Sequence, residues 1–407
     1  MTGLKDLESN KASLAYSLAS RNHRPTDASR RLLAEIADSF RLVNMSLVPE
    51  VRDMAQLIWS FGTLSEADRT VGQMCAAAVE TLGYLVKRGR TDVGRWSNED
   101  IAMAVAGMCY GRVEDLDLMG RLYEEARGRT WKDWERVNLC WGVAHFYLGG
   151  EGGAAGAFVR ESVGAIRRGG GLGGDQQASA NMVWTIAVLE MDDGDSREVA
   201  GGVLRDAEGR WRGGEVMEKE HAHQLYQARL VTDWMEGMIG EDFERHLKEA
   251  WDREKGRPKM SSRSHLQLSK VLSLMGINHQ NEHDEDIDVA LVLDNGSGWS
   301  RIDSEGSSGN TYVAVEYDGP DHFTYNGKKS LGHTNLKYRV LKKRGWAVVR
   351  VPYYVWDRIP FWASMERQRY LQRLLKTDKA IKFSGQDKSE YKKPEKSVWL
   401  NRVSRFD

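Results

Sequence analysis

Residues 31–251 have the hydrophobic pattern of amphipathic helices. Apolar residues recur there at intervals of three and four positions, and alternation of β-branched residues is nearly absent. Glycine-rich stretches at 149–156 and 169–174 follow no predicted strand, so they indicate loops between helices and not phosphate-binding glycine loops. The pattern predicts a helical domain over residues 31–251.

Four apolar segments within this region resemble one another. Placing Trp59, Ala106, Trp141 and Trp184 in register gives steps of 47, 35 and 43 residues. Steps of that size are typical of helix pairs in an α-solenoid, where each pair buries its apolar face against the next. An irregular helical bundle is the alternative. In both cases the tryptophans lie within apolar runs, so we expect them in the core and not as stacking platforms for bases.

Further along, the pattern changes to that of a small α/β domain. Helical spacing over 264–275 is followed by apolar strand patterns at 286–293, 311–318 and 346–351, with helices expected at 334–344 and 360–375. This α-β-β-α-β-α order predicts helices packed on a small sheet. We therefore expect an N-terminal extension or targeting segment at 1–30, the helical domain, a linker at 252–263, the α/β domain at 264–376 and a basic tail at 377–407.

Charge is distributed unevenly, although the net charge is only −1. Residues 328–407 hold 21 lysines and arginines against 7 acidic residues, while the rest of the chain holds 37 against 52. Such asymmetry indicates contact with a polyanion, with a solvated basic tail as the alternative.

Composition excludes other classes. No run approaches the ~18 apolar residues of a membrane span, so a soluble protein is expected. Cys75, Cys109 and Cys140 lie in apolar helical patterns without metal-ligand spacing, which predicts buried thiols in a reducing compartment. Acidic residues within the first 30 positions weaken any argument for a transit peptide.

Acidic residues mark the strands of the α/β domain. Glu316 and Asp318 are two positions apart, so they point to the same face of their strand, and Asp288 lies on a neighbouring strand. Carboxylates in such a cluster can share Mg²⁺ or Mn²⁺. The alternative is a hydrogen-bonded network of Glu316, Asp318 and His322 that fixes the following turn without a metal.

The region from Val313 to Trp356 resembles the RAP domain. Its features appear in order: Val315-Glu-Tyr-Asp-Gly-Pro320, His322-Phe323, Thr334, Leu336-Lys337, Leu341, Gly345-Trp346 and Val351-Pro-Tyr-Tyr-x-Trp356. Upstream acids Glu282, Asp286 and Asp288 extend the resemblance to about 75 residues. The helical segments resemble more weakly the octotricopeptide repeats of organellar RNA-binding proteins.

This resemblance implies a fold like that of PD-(D/E)xK nucleases and a role in mitochondrial or plastid RNA metabolism. Glu316-Tyr-Asp318-Gly-Pro-Asp-His322 is similar to the Glu-x-Asp-Gly-x-x-His run of very-short-patch-repair-like nucleases. Asp318, however, stands where the superfamily places its catalytic lysine. A nuclease would therefore use Asp288, Glu316 and Asp318 with Mg²⁺ or Mn²⁺, and Lys337 would supply the cation.

Basic and aromatic residues of the same region predict an RNA interface. The helix at 334–344 carries five cations and no acid. Cations would contact phosphates, and aromatic rings would stack on bases. The candidate RNA-binding residues are His322, Phe323, Lys328, Lys329, His333, Thr334, Lys337, Arg339, Lys342, Lys343, Arg344, Arg350, Tyr353 and Tyr354.

Three functions are compatible with these observations. The first, which we favour, is a noncatalytic RNA binder without a cofactor, acting on rRNA in mitochondria or alternatively in plastids. The second is a metal-dependent endonuclease. The third, compatible with the first, is a structural part of a large ribonucleoprotein such as the mitochondrial ribosome, whose proteins the acidic helical domain would contact.

Overall fold

The computed structural model describes residues 2–21, 24–41, 48–149, 153–255, 261–283, 287–293, 299–301, 311–325, 327–379 and 381–383. The chain divides into two compact units. The helical unit comprises residues 1–253 together with 321–337. The sheet unit comprises residues 254–320 and 338–407. Residues 321–337, which follow a strand of the sheet in the sequence, thus belong to the helical unit.

The helical region before the sheet contains the α-helices α1 (Thr2–Ser20), α2 (Asp27–Ser39), α3 (Val51–Ser65), α4 (Arg69–Lys87), α5 (Asn98–Gly111), α6 (Leu116–Ala126), α7 (Asp133–His145), α8 (Ala154–Gly169), α9 (Gln176–Val188), α10 (Gly194–Arg212), α11 (Lys219–Val231) and α12 (Glu241–Lys255). Many begin at a residue whose side chain accepts a backbone N–H of the first turn, among them Ser97, Asp115 and Asp175. These bonds satisfy donors that have no partner within the helix. Local sequence therefore sets these helix starts.

The helices pack in two layers, and consecutive helices alternate between the layers. In one layer, each of α1, α3, α5, α7, α9 and α11 contacts the next, and α2, α4, α6, α8 and α10 do the same in the other. Trp59, Ala106, Trp141 and Trp184 all lie in helices of the first layer. This is the arrangement of an α-solenoid, so the repeat prediction is confirmed.

Two glycines allow α3 and α5 to approach closely. A Cβ atom on Gly62 would lie 2.1 Å from the carbonyl oxygen of Gly107, and a Cβ on Gly107 would lie 2.5 Å from the carbonyl oxygen of Ile58. Both contacts are with backbone, which cannot yield as a flexible side chain does. Glycine at these positions therefore sets the spacing between the two helices.

The core of the helical unit is apolar and extends from Ala12 in α1 to Trp251 in α12. Trp184 is buried, and Trp59 and Trp141 are partly buried against this core. The three cysteines are free and buried, as predicted, and burial raises the pKa of Cys75 and Cys140 to about 12. No helix among the described residues is long and apolar enough to cross a bilayer.

The described strands of the sheet unit are β1 (His279–His283), β2 (Ile287–Leu293), β3 (Trp299–Arg301), β4 (Thr311–Asp318), β5 (Ala347–Pro352) and β6 (Ile381–Phe383). The main sheet has the order β1-β2-β4-β5. Its first two pairings are antiparallel, and β4 pairs with β5 in parallel, with Val315 opposite Val349. Short β3 and β6 form a separate antiparallel pair. The mixed α/β fold is as predicted.

Helices cover both faces of this sheet. The helices of this region are α13 (Arg263–Leu274), α14 (Gly332–Lys343), α15 (Tyr353–Trp356) and α16 (Ser364–Lys379). Apolar residues of α13 and α16 form one core with Val313 and Val315 of β4. On the opposite face, Ala314 packs with Tyr338 and Leu341 of α14. The two-residue period of β4 therefore separates two small cores.

Several boundaries differ from the sequence prediction. Strand β1 was not predicted, because its sequence, His-Gln-Asn-Glu-His, has no apolar alternation. Residues 1–30 contain α1, which packs on α3, and the first four residues of the expected linker belong to α12. Asp286, residues 302–310 and the expected tail from 384 onward lie outside the described residues.

Candidate functional site

Strand β4 brings two carboxylates into the interior of the sheet unit. Glu316 and Asp318 share the face on which Ala314 packs, and they are 2% and 1% exposed. Buried ionised carboxylates are stable only when they are paired or hydrogen-bonded. Their partners therefore decide what chemistry they can perform.

Asp318 is held by Tyr338 of α14 and Arg350 of β5. The Tyr338 hydroxyl donates to Oδ1 of Asp318, and Nε of Arg350 lies 2.7 Å from Oδ2. The guanidinium of Arg350 also lies over the Tyr338 ring, 4.5 Å from its centroid. Burial, reinforced by the negative charge of Asp318, raises the pKa of Tyr338, which therefore stays a donor. Both oxygens of Asp318 are engaged by protein.

Asp288 and Glu316 bind the backbone across the β2–β4 pairing. Oδ2 of Asp288 accepts the N–H of Tyr317 at 2.8 Å, and Oε1 of Glu316 accepts the N–H of Asp288 at 3.3 Å. These bonds fix both carboxylates at the end of the sheet where β4 ends.

One residue of the predicted nuclease set also belongs to a second group of potential metal ligands. Among the described residues, the potential ligand atoms that lie within 4.8 Å of one another belong to His265, Glu282 and Asp288, not to Glu316 and Asp318. Nδ1 of the buried His265 lies 3.0 Å from Oε1 of Glu282, and Ser261 donates to the same oxygen at 2.6 Å. Asp318 is paired with Arg350. A metal ion shared by Asp288, Glu316 and Asp318, with Lys337 as the cation, remains a prediction.

Residues 321–337 are integrated into the helical unit by packing. Leu331 joins its main core, and Leu336 packs with Trp184 and Val188. A Cβ on Gly332 would lie 2.0 Å from the carbonyl oxygen of Ala144, so the segment lies directly against the α7 backbone. Phe323 is only 2% exposed. This segment is a structural part of the helical unit.

Charge pairs hold the same segment. Asp321 forms ion pairs with Arg112 and, at 3.2 Å, with Arg69. Nζ of Lys329 lies 2.7 Å from Oε1 of Glu114. Burial alone would raise the pKa of Asp321, but the two guanidinium groups outweigh it and lower the pKa. Asp321 is therefore charged at neutral pH.

Three histidines lie in succession beside these pairs. The rings of His145 and His333 are 6.4 Å apart, those of His333 and His322 are 6.0 Å apart, and Nδ1 of His322 lies 3.1 Å from Oγ1 of Thr334. Desolvation, followed by the charges of neighbouring histidines and Arg112, lowers the pKa of His145 to about 3 and that of His333 to about 4. His333 shows this shift although part of its side chain is exposed. Both are neutral at pH 7.

Part of the sheet region matches a known protein family. The RAP domain family model matches residues 315–374, from the middle of β4 into α16. The chain contains a RAP domain. A "RAP domain-containing protein, chloroplastic" of Oryza sativa subsp. japonica is 36% identical over 66 residues. That stretch is 16% of this chain and 10% of the relative, so the chain spans about a tenth of the relative's length.

The predicted RNA-binding residues fall in both units. In the helical unit lie His322, Phe323, Lys328, Lys329, His333, Thr334 and Lys337, and in the sheet unit lie Arg339, Lys342, Lys343, Arg344, Arg350, Tyr353 and Tyr354. Phe323 and Thr334 are buried, so their side chains are not accessible to a base. Lys328, His333, Lys342 and Lys343 are exposed. Their contact with RNA remains a prediction.

Sequence reasoning missed two residues that organise the site. Tyr338 fits the apolar spacing of α14, so nothing in the pattern marks its hydroxyl as the partner of Asp318. His265 looks like an ordinary polar residue of a helix, yet it is 3% exposed and contacts Glu282. The burial of a polar side chain within a helix is visible only when its tertiary neighbours are known.

Proposed function

We propose that this protein is a noncatalytic, organellar RNA-binding protein, and that it serves as an rRNA-binding component or assembly factor of the mitochondrial ribosome. RAP domains are RNA-binding modules, and this chain contains one. The acidic helical unit would contact proteins of the assembly. An organellar location is consistent with the chloroplastic relative, which makes a plastid the alternative compartment.

The observation that carries this proposal is the cationic end of α14. Lys342 and Lys343 lie in its last turn, both exposed, and Arg344 follows them. Cations at a helix C-terminus are favourable to the helix itself. Three in succession within an RNA-binding domain also supply the charge density that phosphates require.

A matched pair of charge reversals tests this assignment. Lys342→Glu, Lys343→Glu and Arg344→Glu are combined in one full-length variant. The control combines Lys87→Glu, Arg88→Glu and Arg90→Glu, which changes net charge equally at the exposed end of α4. Affinity for an RNA oligonucleotide is measured against salt concentration.

We expect the α14 variant to bind more weakly, with a salt slope smaller by about 2, because up to three phosphate contacts are lost. The α4 variant should retain nearly native affinity. Equal loss in both variants would show that only overall charge matters, and unchanged affinity in the α14 variant would refute the assignment.

A divalent-metal endoribonuclease is the second candidate, and the proximity of His265, Glu282 and Asp288 is the observation in its favour. Asp288 belongs both to this group and to the predicted nuclease set. Mg²⁺- or Mn²⁺-dependent RNA cleavage that disappears in Asp288→Asn and Glu316→Ala would establish it. An absence of cleavage with either ion would eliminate it.

A further inference from the structure

The turn before α16 exposes two aromatic rings. Phe361 and Trp362 are 65% and 61% exposed, and Met365 beside them is 50% exposed. Scattered apolar side chains are normal on protein surfaces, but three large ones within five positions form a patch. The two rings meet edge to face, with centroids 5.1 Å apart and planes at 86°. We call Phe361 and Trp362 the aromatic turn.

A fixed backbone supports this turn. The N–H of Ala363 donates to the carbonyl of Pro360 at 2.9 Å, and that of Ser364 donates to Trp362 at 2.9 Å. Just before it, the buried Arg367 donates to the carbonyl of Ile359 through two nitrogens, at 3.1 and 2.7 Å. The rings are therefore presented by an ordered turn, and a ligand would not have to order the backbone on binding.

Exposed cations lie before the aromatic turn and along the helix that follows it. Arg358 precedes it, and on α16 the residues Arg369, Arg373 and Lys376 follow Met365 at intervals of four, four and three positions. Helical geometry places residues at these intervals along one stripe. Of the nearby acids, Asp357 accepts hydrogen bonds from Tyr317 and Ser264, and Glu366, which follows Met365, is partly buried. The surface thus combines flat apolar rings with positive charge.

We propose that this surface binds single-stranded RNA, with Phe361 and Trp362 stacking on unpaired bases and Arg358, Arg369 and Arg373 contacting the backbone phosphates. The inference rests on the proposed RNA-binding function and names its substrate class. The positive charge favours a polyanion over an apolar protein segment. A duplex is excluded because its bases are already stacked on one another and present no free face.

Full-length protein with Phe361→Ala and Trp362→Ala combined tests this inference. Both side chains are largely exposed, so folding should be unaffected, which the circular dichroism spectrum and melting temperature would check. The conservative control is Phe361→Tyr with Trp362→Phe, which keeps two stacking rings. Each protein is titrated with an unstructured RNA oligonucleotide and with an RNA duplex of equal charge.

We expect the alanine variant to lose roughly tenfold or more in affinity for the single strand, because two stacked bases lose their partners. The conservative variant should bind as the native protein does, and duplex affinity should be equal in all three. Loss of native Trp362 fluorescence on adding the single strand, absent in Trp362→Phe, would locate the contact.

The outcomes separate this inference from the proposed function. If the native protein binds neither RNA, the proposed function fails. If it binds the single strand and the alanine variant binds equally well, stacking on the aromatic turn is overturned while RNA binding stands. Equal losses for single strand and duplex would also overturn it, since they would show a contact that does not depend on unpaired bases.

Discussion

The two units of this chain use polar side chains in different ways. The helical unit builds a long apolar core in which Asp53 and Glu135 are the buried acids among the described residues. The sheet unit, which is much smaller, buries Glu316, Asp318 and Arg367 together with His265. The helical unit is held mainly by apolar packing and close helix contacts. The sheet unit depends in addition on a network of buried polar side chains.

This difference determines where substitutions should be costly. An apolar core tolerates polar changes on its surface but not added volume at close contacts. A buried polar network fails when one partner is removed and the other is left unpaired. We therefore expect the helical unit to be most sensitive to added volume at close helix contacts, and the sheet unit to be most sensitive to the loss of a buried polar partner.

The largest effect is expected at Asp318 of the sheet unit. Asp318→Ala leaves the Tyr338 hydroxyl without its acceptor and Arg350 without its counter-ion, which should lower the free energy of unfolding by about 3 kcal/mol. Asp321→Ala in the helical unit removes the acidic partner of Arg69 and Arg112, and because the Asp321 side chain is itself largely exposed it should cost at most about 1 kcal/mol. Urea denaturation measures both, and equal costs would contradict the comparison.

The next largest effect is expected when a side chain is added at Gly62, because the added volume, and not a change of charge, disturbs the packing. Gly62→Ala places a methyl group 2.1 Å from the carbonyl oxygen of Gly107, so α3 and α5 must separate, at a cost of about 1–3 kcal/mol. Gly120→Ala is the matched control, because its Cβ meets no atom within 4 Å in α6. That control should stabilise the protein by about 0.5–1 kcal/mol, since alanine favours helix. Losses of equal size would refute close helix packing as the cause.

The last effect is that of acid on the helical unit. The pKa of His145 is lowered to about 3 and that of His333 to about 4, whereas an unfolded histidine titrates near 6.5. Between pH 6.5 and 4 the unfolded state therefore binds more protons, and stability should fall as pH falls through this window. His145→Gln removes one of the two groups and should flatten the dependence of melting temperature on pH. A profile that follows the native one below pH 6.5 would contradict this assignment.

Much of the fold could be predicted from local patterns of apolar and polar residues. Three- and four-residue apolar spacing predicted the helical region, and the register of Trp59, Trp141 and Trp184 placed them in equivalent helices. Two-residue alternation found β2, β4 and β5 and put Glu316 and Asp318 on one face. Strand β1 was not predicted, because its polar residues are partly exposed and show no alternation of apolar and polar positions.

The site was predicted less completely, because its contacts are distant in the sequence. Asp318 and Arg350 are 32 residues apart, and Asp321 and Arg112 are 209 apart. No local pattern distinguishes a carboxylate awaiting a metal ion from one paired with a guanidinium. Phe323, taken as a stacking residue, is instead buried.

Sequence alone determined the helix-pair repeat, the strand faces and the RAP resemblance. Each of these is a pattern of residues that lie close together in the sequence, so it can be recognised without knowledge of tertiary contacts. Tertiary structure alone decided that residues 321–337 join the helical unit, that Tyr338 and Arg350 hold Asp318, and that Phe361 and Trp362 face solvent. Burial and pairing depend on which distant segments meet, and that is settled by packing of the whole chain.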